Sequence, residues 1–148
     1  MKQRNRKTDW PYWLLCIFVL AAIVHAYQAK AETNVFIGAW SKHLISKDLN
    51  EEHRLFAIEH NGWFAGRFIN SYDRESYDVA RKFKWTYGEL EGGVYVGAVR
   101  GYTRCWGNDD SNTNTCPMAV PYITYDATVA PQVMLIGEAV AVTIRIRL

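Results

Sequence analysis

The sequence lacks most of the features of a helical, metal-binding or nucleic-acid-binding protein. Beyond residue 31, apolar side chains almost never recur at the i, i+3, i+4, i+7 spacing of an amphipathic helix. The three cysteines and four histidines form no group with the spacing of metal ligands. We therefore expect no helical fold, no metal and no other cofactor.

A basic excess is also missing from most of the chain. The formal net charge is +2, but five of the 17 basic residues and one of the 15 acidic residues precede Glu32. Residues 32–148 therefore carry 12 basic and 14 acidic residues, a net charge of −2. Because binding to a phosphate backbone depends on positive charge, nucleic acid is not an expected partner.

The first 31 residues differ in kind from the rest. A basic start precedes an apolar run over 13–27, and Ala29-Lys30-Ala31 has the small-x-small pattern of a signal peptidase site. That run of about 15 residues is shorter than the roughly 20 that a spanning helix needs. We therefore expect a signal peptide over 1–31 and a separate domain over 32–148. An uncleaved N-terminal helix that anchors the protein is the alternative.

Two cysteines lie beyond this segment. Cys105 and Cys116 bracket the polar stretch 106–115. In an exported protein this arrangement predicts a disulfide that closes a hairpin loop.

Short alternating or aromatic-rich runs, separated by turn residues, dominate residues 32–148. The strongest turn signal is Asn61-Gly62, because both residue types tolerate the positive φ of a type I′ turn. The flanking runs 54–60 and 63–71 are therefore predicted to form a tight antiparallel hairpin. Six further runs bring the number of predicted strands to about eight: 34–43, 77–87, 94–103, 117–125, 132–136 and 139–147.

The last predicted strand has one apolar and one polar face. From 140 to 148 the even positions are Val, Ile or Leu, whereas Thr143, Arg145 and Arg147 lie on the other face. This pattern is typical of a barrel with lipid outside and a polar lumen, and it also fits a soluble sandwich or an inverted lipocalin-like barrel. The signal peptide, the even strand count and an aromatic fraction of 14% favour the membrane.

We therefore expect an all-β protein, a small antiparallel up-and-down β-barrel of about eight strands preceded by a signal peptide. The expected location is the outer membrane, and the expected state is a monomer. A periplasmic barrel, either soluble or anchored by an uncleaved N-terminal helix, is the alternative.

Two side chains at one predicted rim could perform chemistry. If the first strand runs outward, His43 at its end and Ser71 at the end of the third strand reach the same rim. A serine becomes a nucleophile when a nearby base takes its proton, and a third group orients that base. His43 is the predicted base, and an acidic residue of the loop 44–52 (Asp48, Glu51 or Glu52) could orient it. Alternation predicts that Ser71 faces inward together with Arg67; solvated loop-edge residues are the alternative.

The segment Phe68-Ile69-Asn70-Ser71-Tyr72, with the later Phe83-Lys84-Trp85, resembles the central part of the lipid A palmitoyltransferase (PagP) family of the outer membrane. Residues 50–57 are loosely similar to the strand that precedes it there. The resemblance covers about 40–85. The sequence Trp-Ser-x-His at 40–43 and the Asn-Ser-Tyr triplet also resemble small uncharacterised phage and proteobacterial exported proteins.

The resemblance implies an eight-stranded barrel with a lipid-filled interior that moves a palmitoyl chain from a membrane phospholipid to lipid A. It places Ser71 at the family serine and Asn70 at the family aspartate, and His43 is the best-placed histidine. Asn70 cannot carry the aspartate's charge, and the family's leading amphipathic helix has no counterpart.

The expected function is therefore a PagP-like lipid A acyltransferase. In this reaction Ser71 attacks the acyl group or orients the attacking group, and His43 acts as the base. Asn70 or backbone amides stabilise the oxyanion. The alternative is a non-catalytic exported barrel that binds a lipid or a surface partner, such as a phage-encoded protein that modifies the envelope.

Overall fold

The computed structural model describes residues 32–102, 105 and 114–148, which form one closed β-barrel. Eight antiparallel strands pair in chain order, and the last strand pairs back onto the first. The strands are β1 (Thr33–His43), β2 (Phe56–His60), β3 (Trp63–Ile69), β4 (Glu75–Tyr87), β5 (Leu90–Tyr102), β6 (Asn114–Tyr125), β7 (Val129–Ile136) and β8 (Ala139–Arg147). The predicted all-β barrel of eight strands is confirmed, whereas the predicted signal peptide lies outside the described residues.

The tight hairpin and the last strand lie at the residues that the sequence predicts. Asn61 and Gly62 have φ values of 50° and 74° and join β2 to β3, and β8 covers 139–147. β5 begins earlier than predicted. The predicted strand starts at residue 94, whereas Gly92 and Gly93 already pair with β4. A Cβ on Gly93 would lie 2.4 Å from the Phe83 carbonyl oxygen, so glycine here permits close packing within the strand.

The outer surface of the barrel is apolar on every strand. Large hydrophobic side chains with 37–61% exposure point outward around the whole ring. In strand order they are Ile37, Trp40, Phe56, Ile58, Trp63, Tyr77, Val79, Phe83, Trp85, Leu90, Val96, Ile123, Tyr125, Val129, Val133, Leu135 and Val140. A soluble barrel hides such residues in its core, so the pattern is inverted with respect to soluble proteins.

Stacked aromatic rings fill the middle of the lumen. Phe36 lies 5.3 Å from Phe64 between ring centroids, Phe64 lies 4.9 Å from Tyr95, and Tyr95 lies 4.8 Å from Tyr122. All four side chains are buried. A lipid-filled interior, which the family resemblance implies, does not fit this level of the barrel.

Charged side chains fill the lumen on the side of the tight hairpin, which we call the base of the barrel. The Glu59 carboxylate lies 2.5 Å from the Lys82 ammonium and accepts hydrogen bonds from Asn34 (2.9 Å) and from the Tyr95 hydroxyl (2.8 Å). Its three partners and its own side chain are buried. Burial of a charge is tolerated when it is paired and hydrogen-bonded in this way.

A second buried carboxylate, Glu91, extends the same network. It accepts hydrogen bonds from the Tyr122 hydroxyl (3.0 Å) and from Arg145 (3.2 Å), and it lies 3.6 Å from the Lys82 ammonium. The sequence pattern predicted Arg145 on the polar face of the last strand, and the structure confirms this, with Glu91 as its partner. The base of the lumen is therefore closed by paired charges.

Ion pairs continue to the edge of the base. Burial raises the pKa of Glu32, but hydrogen bonds from Lys84 and Asn34 and the charge of Lys82 outweigh burial and hold that pKa at about 2. The resulting stabilisation is complete above pH 4.5 and is lost as the pH falls towards 2. A hydrogen bond from Arg147 and its charge lower the pKa of Asp126 in the neighbouring turn.

The ladder between β6 and β7 is short. Paired residues extend only over Tyr122–Thr124 on β6, although β6 itself begins at Asn114. Pro121 immediately precedes this ladder in the chain, on the side away from the base, and has no N–H to donate. The paired ladder between β6 and β7 is therefore the shortest of the described barrel.

The predicted disulfide is present. Cys105 and Cys116 are bonded, with 5.3 Å between their Cα atoms, and Cys116 lies near the start of β6. The bond closes the loop between β5 and β6 at the end of the barrel opposite the base.

The closed base yields a prediction for Glu59→Gln. This change leaves the Lys82 ammonium buried beside a neutral amide, and breaking a buried ion pair costs about 3–5 kcal/mol. We expect a loss near the lower end of that range in the free energy of unfolding, because Glu91 remains 3.6 Å from Lys82. Urea unfolding of the refolded barrel in detergent measures it. The control Glu89→Gln, at an exposed turn residue, should change stability by less than about 0.5 kcal/mol; equal effects of the two changes would contradict the network.

Candidate active site

A bulge in β1 decides which side chains reach the lumen at the end opposite the base, which we call the mouth. Before the bulge, Asn34 and Phe36 are buried; after it, Ala39 and Ser41 are buried, and His43 continues the same alternation. The register against β8 shifts between Ile37 and Ala39. If Gly38 were instead paired as a regular strand residue, every side chain beyond it would switch faces, so Ser41 and His43 would point outward.

Gly38 is the extra residue of this bulge. Its φ is 62°, and its N–H donates to the Leu55 carbonyl at 2.8 Å. A Cβ at this position would lie 2.8 Å from the Trp40 ring. Both the backbone conformation and the space therefore favour glycine, and the glycine within a predicted strand was the available sequence signal for the bulge.

His43 and Ser71 meet at the mouth, as the strand topology predicts. The distance from His43 Nε2 to Ser71 Oγ is 3.0 Å, and the contact is partly buried. The two residues are 28 positions apart in sequence, so the barrel brings them together. In this geometry the hydroxyl can donate its proton to the imidazole, the first requirement of an activated serine.

Asn70 shapes the turn that presents Ser71. Its Oδ1 accepts hydrogen bonds from the N–H groups of Tyr72 (2.8 Å) and Arg74 (3.1 Å). Its Nδ2 donates to Ser76 Oγ and to the Gly101 carbonyl, both at 3.0 Å. The side chain is fully buried, and both amide hydrogens are directed at protein acceptors. The predicted oxyanion role of Asn70 requires that one of these bonds be released.

Asn50 ties the loop after β1 to the same turn. Its N–H donates to the Ser71 carbonyl (3.0 Å), and its side-chain amide donates to the Asn70 carbonyl (3.2 Å). The sequence interpretation did not single out Asn50, although it lies in the segment of loose family similarity. The Ser71 turn is thus fixed from both sides, which limits the positions that its hydroxyl can adopt.

A carboxylate that orients His43 is not found in the described part of the chain. His43 Nδ1 is buried and has no hydrogen-bond partner there. Of the three predicted carboxylates, Glu51 binds Lys42 at 2.7 Å instead. The pair His43–Ser71 therefore has the base and the hydroxyl of a triad without its third member among the described residues.

A second serine–histidine pair lies beside the first, and the sequence interpretation missed it. Ser41 Oγ is 2.6 Å from His53 Nε2, and His53 Nδ1 is 2.8 Å from the Ile69 carbonyl oxygen. Both side chains are less than 10% exposed. The predicted strand began directly after His53, at Arg54, but β2 begins only at Phe56, and the positive φ of Arg54 (43°) turns the chain between them.

Arg67 does not share a face with Ser71. The structure places it on the outer wall, where it binds Glu75. The predicted alternation fails because β3 ends at Ile69, so that Ser71 already belongs to the turn. Its orientation follows from the Asn70 and Asn50 contacts instead.

Comparison with known proteins adds no relative. The sequence matches none of the protein-family models, and a search of curated proteins finds no match either. Among the described residues, no helix is long and apolar enough to cross a membrane. Within the same residues no three His, Cys, Asp or Glu side chains lie close enough together to hold a metal ion. The assignment of function therefore depends on the geometry of the mouth and on the residues of the family resemblance.

Asn70 gives a prediction that bears on the departure from the family aspartate. The change Asn70→Asp places a carboxylate oxygen against the Gly101 carbonyl oxygen, and loss of a buried donor costs about 1–3 kcal/mol. We expect a loss of this size in the free energy of unfolding, smaller at acidic pH because a protonated carboxyl can donate again. Urea unfolding at several pH values measures it. Asn61→Asp, in the exposed tight turn, is the control with an expected effect below about 0.5 kcal/mol; an Asn70→Asp barrel of unchanged stability would contradict the capping role.

Proposed function

We propose that this protein is a monomeric outer-membrane barrel that moves an acyl chain from a phospholipid to lipid A at the outer leaflet. The observation that carries the proposal is the 3.0 Å contact between His43 Nε2 and Ser71 Oγ at the mouth of the barrel. The segment that holds Asn70 and Ser71 is also the one that resembles the palmitoyltransferase family. The fold and the site thus support the same function.

The surface supports a membrane location. Outward side chains are apolar on all eight strands, and the buried charges are inside. Charged groups on the outer face make local contacts: Arg67 binds Glu75 near the mouth, and Arg81 donates to the Asn61 carbonyl at the tight turn. This distribution matches a barrel whose outer wall faces hydrocarbon.

The chemistry assigned to the mouth is acyl transfer. His43 takes the proton of Ser71, or of an acceptor hydroxyl that Ser71 orients, while the new ester bond forms; the ester bond of the phospholipid breaks, and its glycerol oxygen leaves with that proton. The oxyanion needs donors, and the neighbouring groups are the Asn70 amide and the N–H groups of the Ser71 turn, of which those of Tyr72 and Arg74 must first release Asn70 Oδ1. All of these groups are on short segments held by β1, β3 and β4.

The acyl chain does not extend along the whole length of the lumen in this proposal. The rings of Phe36, Phe64, Tyr95 and Tyr122 occupy the middle of the lumen, so only the mouth half can admit a chain. The ladder between β6 and β7 has only three residue pairs, and we place the lateral entry of the chain beside it. We infer that the acyl chain reaches the mouth from the side and that the base excludes it.

Two observations favour a second function. The packed lumen, and the lack of a partner for His43 Nδ1 among the described residues, fit a non-catalytic exported barrel that binds a lipid or a surface partner through its mouth. Such a protein would retain its binding when the hydroxyl of Ser71 is removed. The activity experiment below separates the two functions.

The membrane location predicts a large effect of Val133→Arg. Val133 faces outward in the middle of β7, and an arginine on the lipid face near the bilayer midplane costs about 2–4 kcal/mol. The same change on a soluble surface costs about 0.5 kcal/mol or less. Urea unfolding from lipid vesicles measures the difference. Tyr87→Arg, at the edge of the outer wall, is the matched control with an expected cost of about 0–1 kcal/mol; small effects of both changes, or recovery of the protein in soluble periplasm, would reject the membrane location.

The enzymatic proposal predicts that lipid A gains an acyl chain in cells that express the protein. Mass spectrometry of lipid A should show the added mass with the wild type. We expect His43→Ala and Ser71→Ala to lower its formation by about 10²–10⁴-fold, the usual contribution of an acid–base group. His60→Ala, at the base, is the control and should retain the activity. Unchanged acylation by the two mouth variants, at equal amounts of folded barrel, would exclude the enzymatic function.

A further inference from the structure

The second serine–histidine pair has the more complete geometry of the two. The imidazole of His53 contacts both the Ser41 hydroxyl, at 2.6 Å, and the Ile69 carbonyl oxygen, at 2.8 Å. A carbonyl oxygen can only accept, so Nδ1 carries the hydrogen, and in the neutral ring Nε2 is left as an acceptor. The Ser41 hydroxyl therefore donates to a base whose tautomer is fixed by a third group.

His53 is held in place by the backbone on both sides. Its N–H donates to the Ala39 carbonyl of β1 at 2.8 Å, and its carbonyl accepts the N–H of Ile69 at 2.7 Å. Ser41 N–H donates to the Glu51 carbonyl at 2.8 Å in the same region. Because the ring and the hydroxyl are clamped by hydrogen-bonded backbone, the pair is organised before any substrate arrives.

The two pairs share one wall of the mouth. Ser41 and His43 are two residues apart on β1 and follow the same alternation, so their side chains lie on the lumen face with roughly 7 Å between the residues along the strand. One pair is buried and oriented, while the other is partly exposed and lacks an orienting group in the described part of the chain. The buried pair and the partly exposed pair are therefore suited to different steps of one reaction.

We propose that Ser41, with His53 as its base, is the serine that carries the acyl group as a covalent acyl-enzyme. In the first step Ser41 Oγ attacks the carbonyl carbon of a lipid ester and its proton passes to His53 Nε2. The carbon–oxygen bond to the glycerol breaks, and the leaving alcohol takes the proton from His53. The products of this step are acyl-Ser41 and a lysophospholipid.

In the second step a hydroxyl of the acceptor attacks acyl-Ser41. His43 takes the proton of that hydroxyl and passes it to solvent water, while His53 takes a proton from solvent water and gives it to Ser41 Oγ as the acyl–Ser41 bond breaks, so that both imidazoles end neutral. Ser71 orients the acceptor for this attack. This assignment deepens the proposed acyl transfer and depends on it for the identity of the acceptor.

An active-site probe tests the nucleophile without any knowledge of the lipid. The full-length barrel, refolded in detergent, is treated with an alkyl fluorophosphonate, which reacts with activated serine hydroxyls, and the modified residue is identified by peptide mass spectrometry. We expect modification of Ser41 in the wild type and in Ser71→Ala. Modification of Ser71 alone, or of no serine, would overturn the assignment, and this result needs no variant that might fail to fold.

The role of His53 as the proton acceptor is tested by the rate of the same reaction. We expect His53→Gln to slow modification of Ser41 at least 100-fold and to flatten its increase with pH, because the proton acceptor is lost. The matched control is His60→Gln, since His60 Nδ1 also lies 2.9 Å from a hydroxyl, that of Thr33, but at the base of the barrel. Equal modification rates in the two variants would show that His53 only supports the structure.

Acylation of lipid A separates this inference from the proposed function. If the wild type acylates lipid A and Ser41→Ala does so at the same rate, the acyl-enzyme is wrong while the proposed function stands. If no variant and no wild type acylates lipid A but Ser41 is modified through His53, the nucleophile stands and the acceptor is wrong. Loss of activity in Ser41→Ala, with an acyl mass on Ser41 in Ser71→Ala or His43→Ala, is the result we expect.

Discussion

The pairing of β1 with β8 is the constraint on which the rest of the structure depends. Nine residue pairs from Asn34–Arg147 to His43–Ala139 close the sheet, so no strand keeps a free edge. Closure also fixes two faces for every strand, one towards a narrow lumen and one outward. Because the apolar residues occupy the outward face, the buried charged side chains at the base are directed into the lumen and pair across it. The Glu59–Lys82 and Glu91–Arg145 contacts are these pairs.

The closed base and the aromatic layer separate stability from function along the barrel axis. Paired charges at the base and stacked rings in the middle bury the lumen without room for a substrate, whereas the mouth half holds serine, histidine and amide side chains. Substitutions at the mouth therefore need not affect the part of the barrel that stabilises the fold. The proposed function therefore assigns its ligands to the mouth half of the barrel.

The sequence predicted what local patterns determine. Asn61-Gly62, the alternation of β8 and the bracketing cysteines each depend on neighbouring residues, and all three are confirmed. The shared position of His43 and Ser71 followed from strand order alone. The misses are of one kind, breaks in strand alternation at Gly38, at Arg54 and at the end of β3 after Ile69, because each break changes the faces of the side chains that follow. Ser41, His53 and Arg67 therefore could not be assigned to faces before the register was known.

Backbone strain is concentrated where the two serine–histidine pairs lie. Among the described residues, four that are not glycine have positive φ: Asp48, Arg54, Asp73 and Asn61. The first three belong to the mouth, next to His53 or in the loops around Ser71, whereas Asn61 forms the tight turn at the base. Asp and Asn tolerate this conformation in turns, whereas for an arginine it costs on the order of 1–3 kcal/mol and persists only where the surroundings enforce it. The strained residue of the four is therefore Arg54, which turns the chain between His53 and β2. Its conformation helps to place His53 beside Ser41, outside the regular strand.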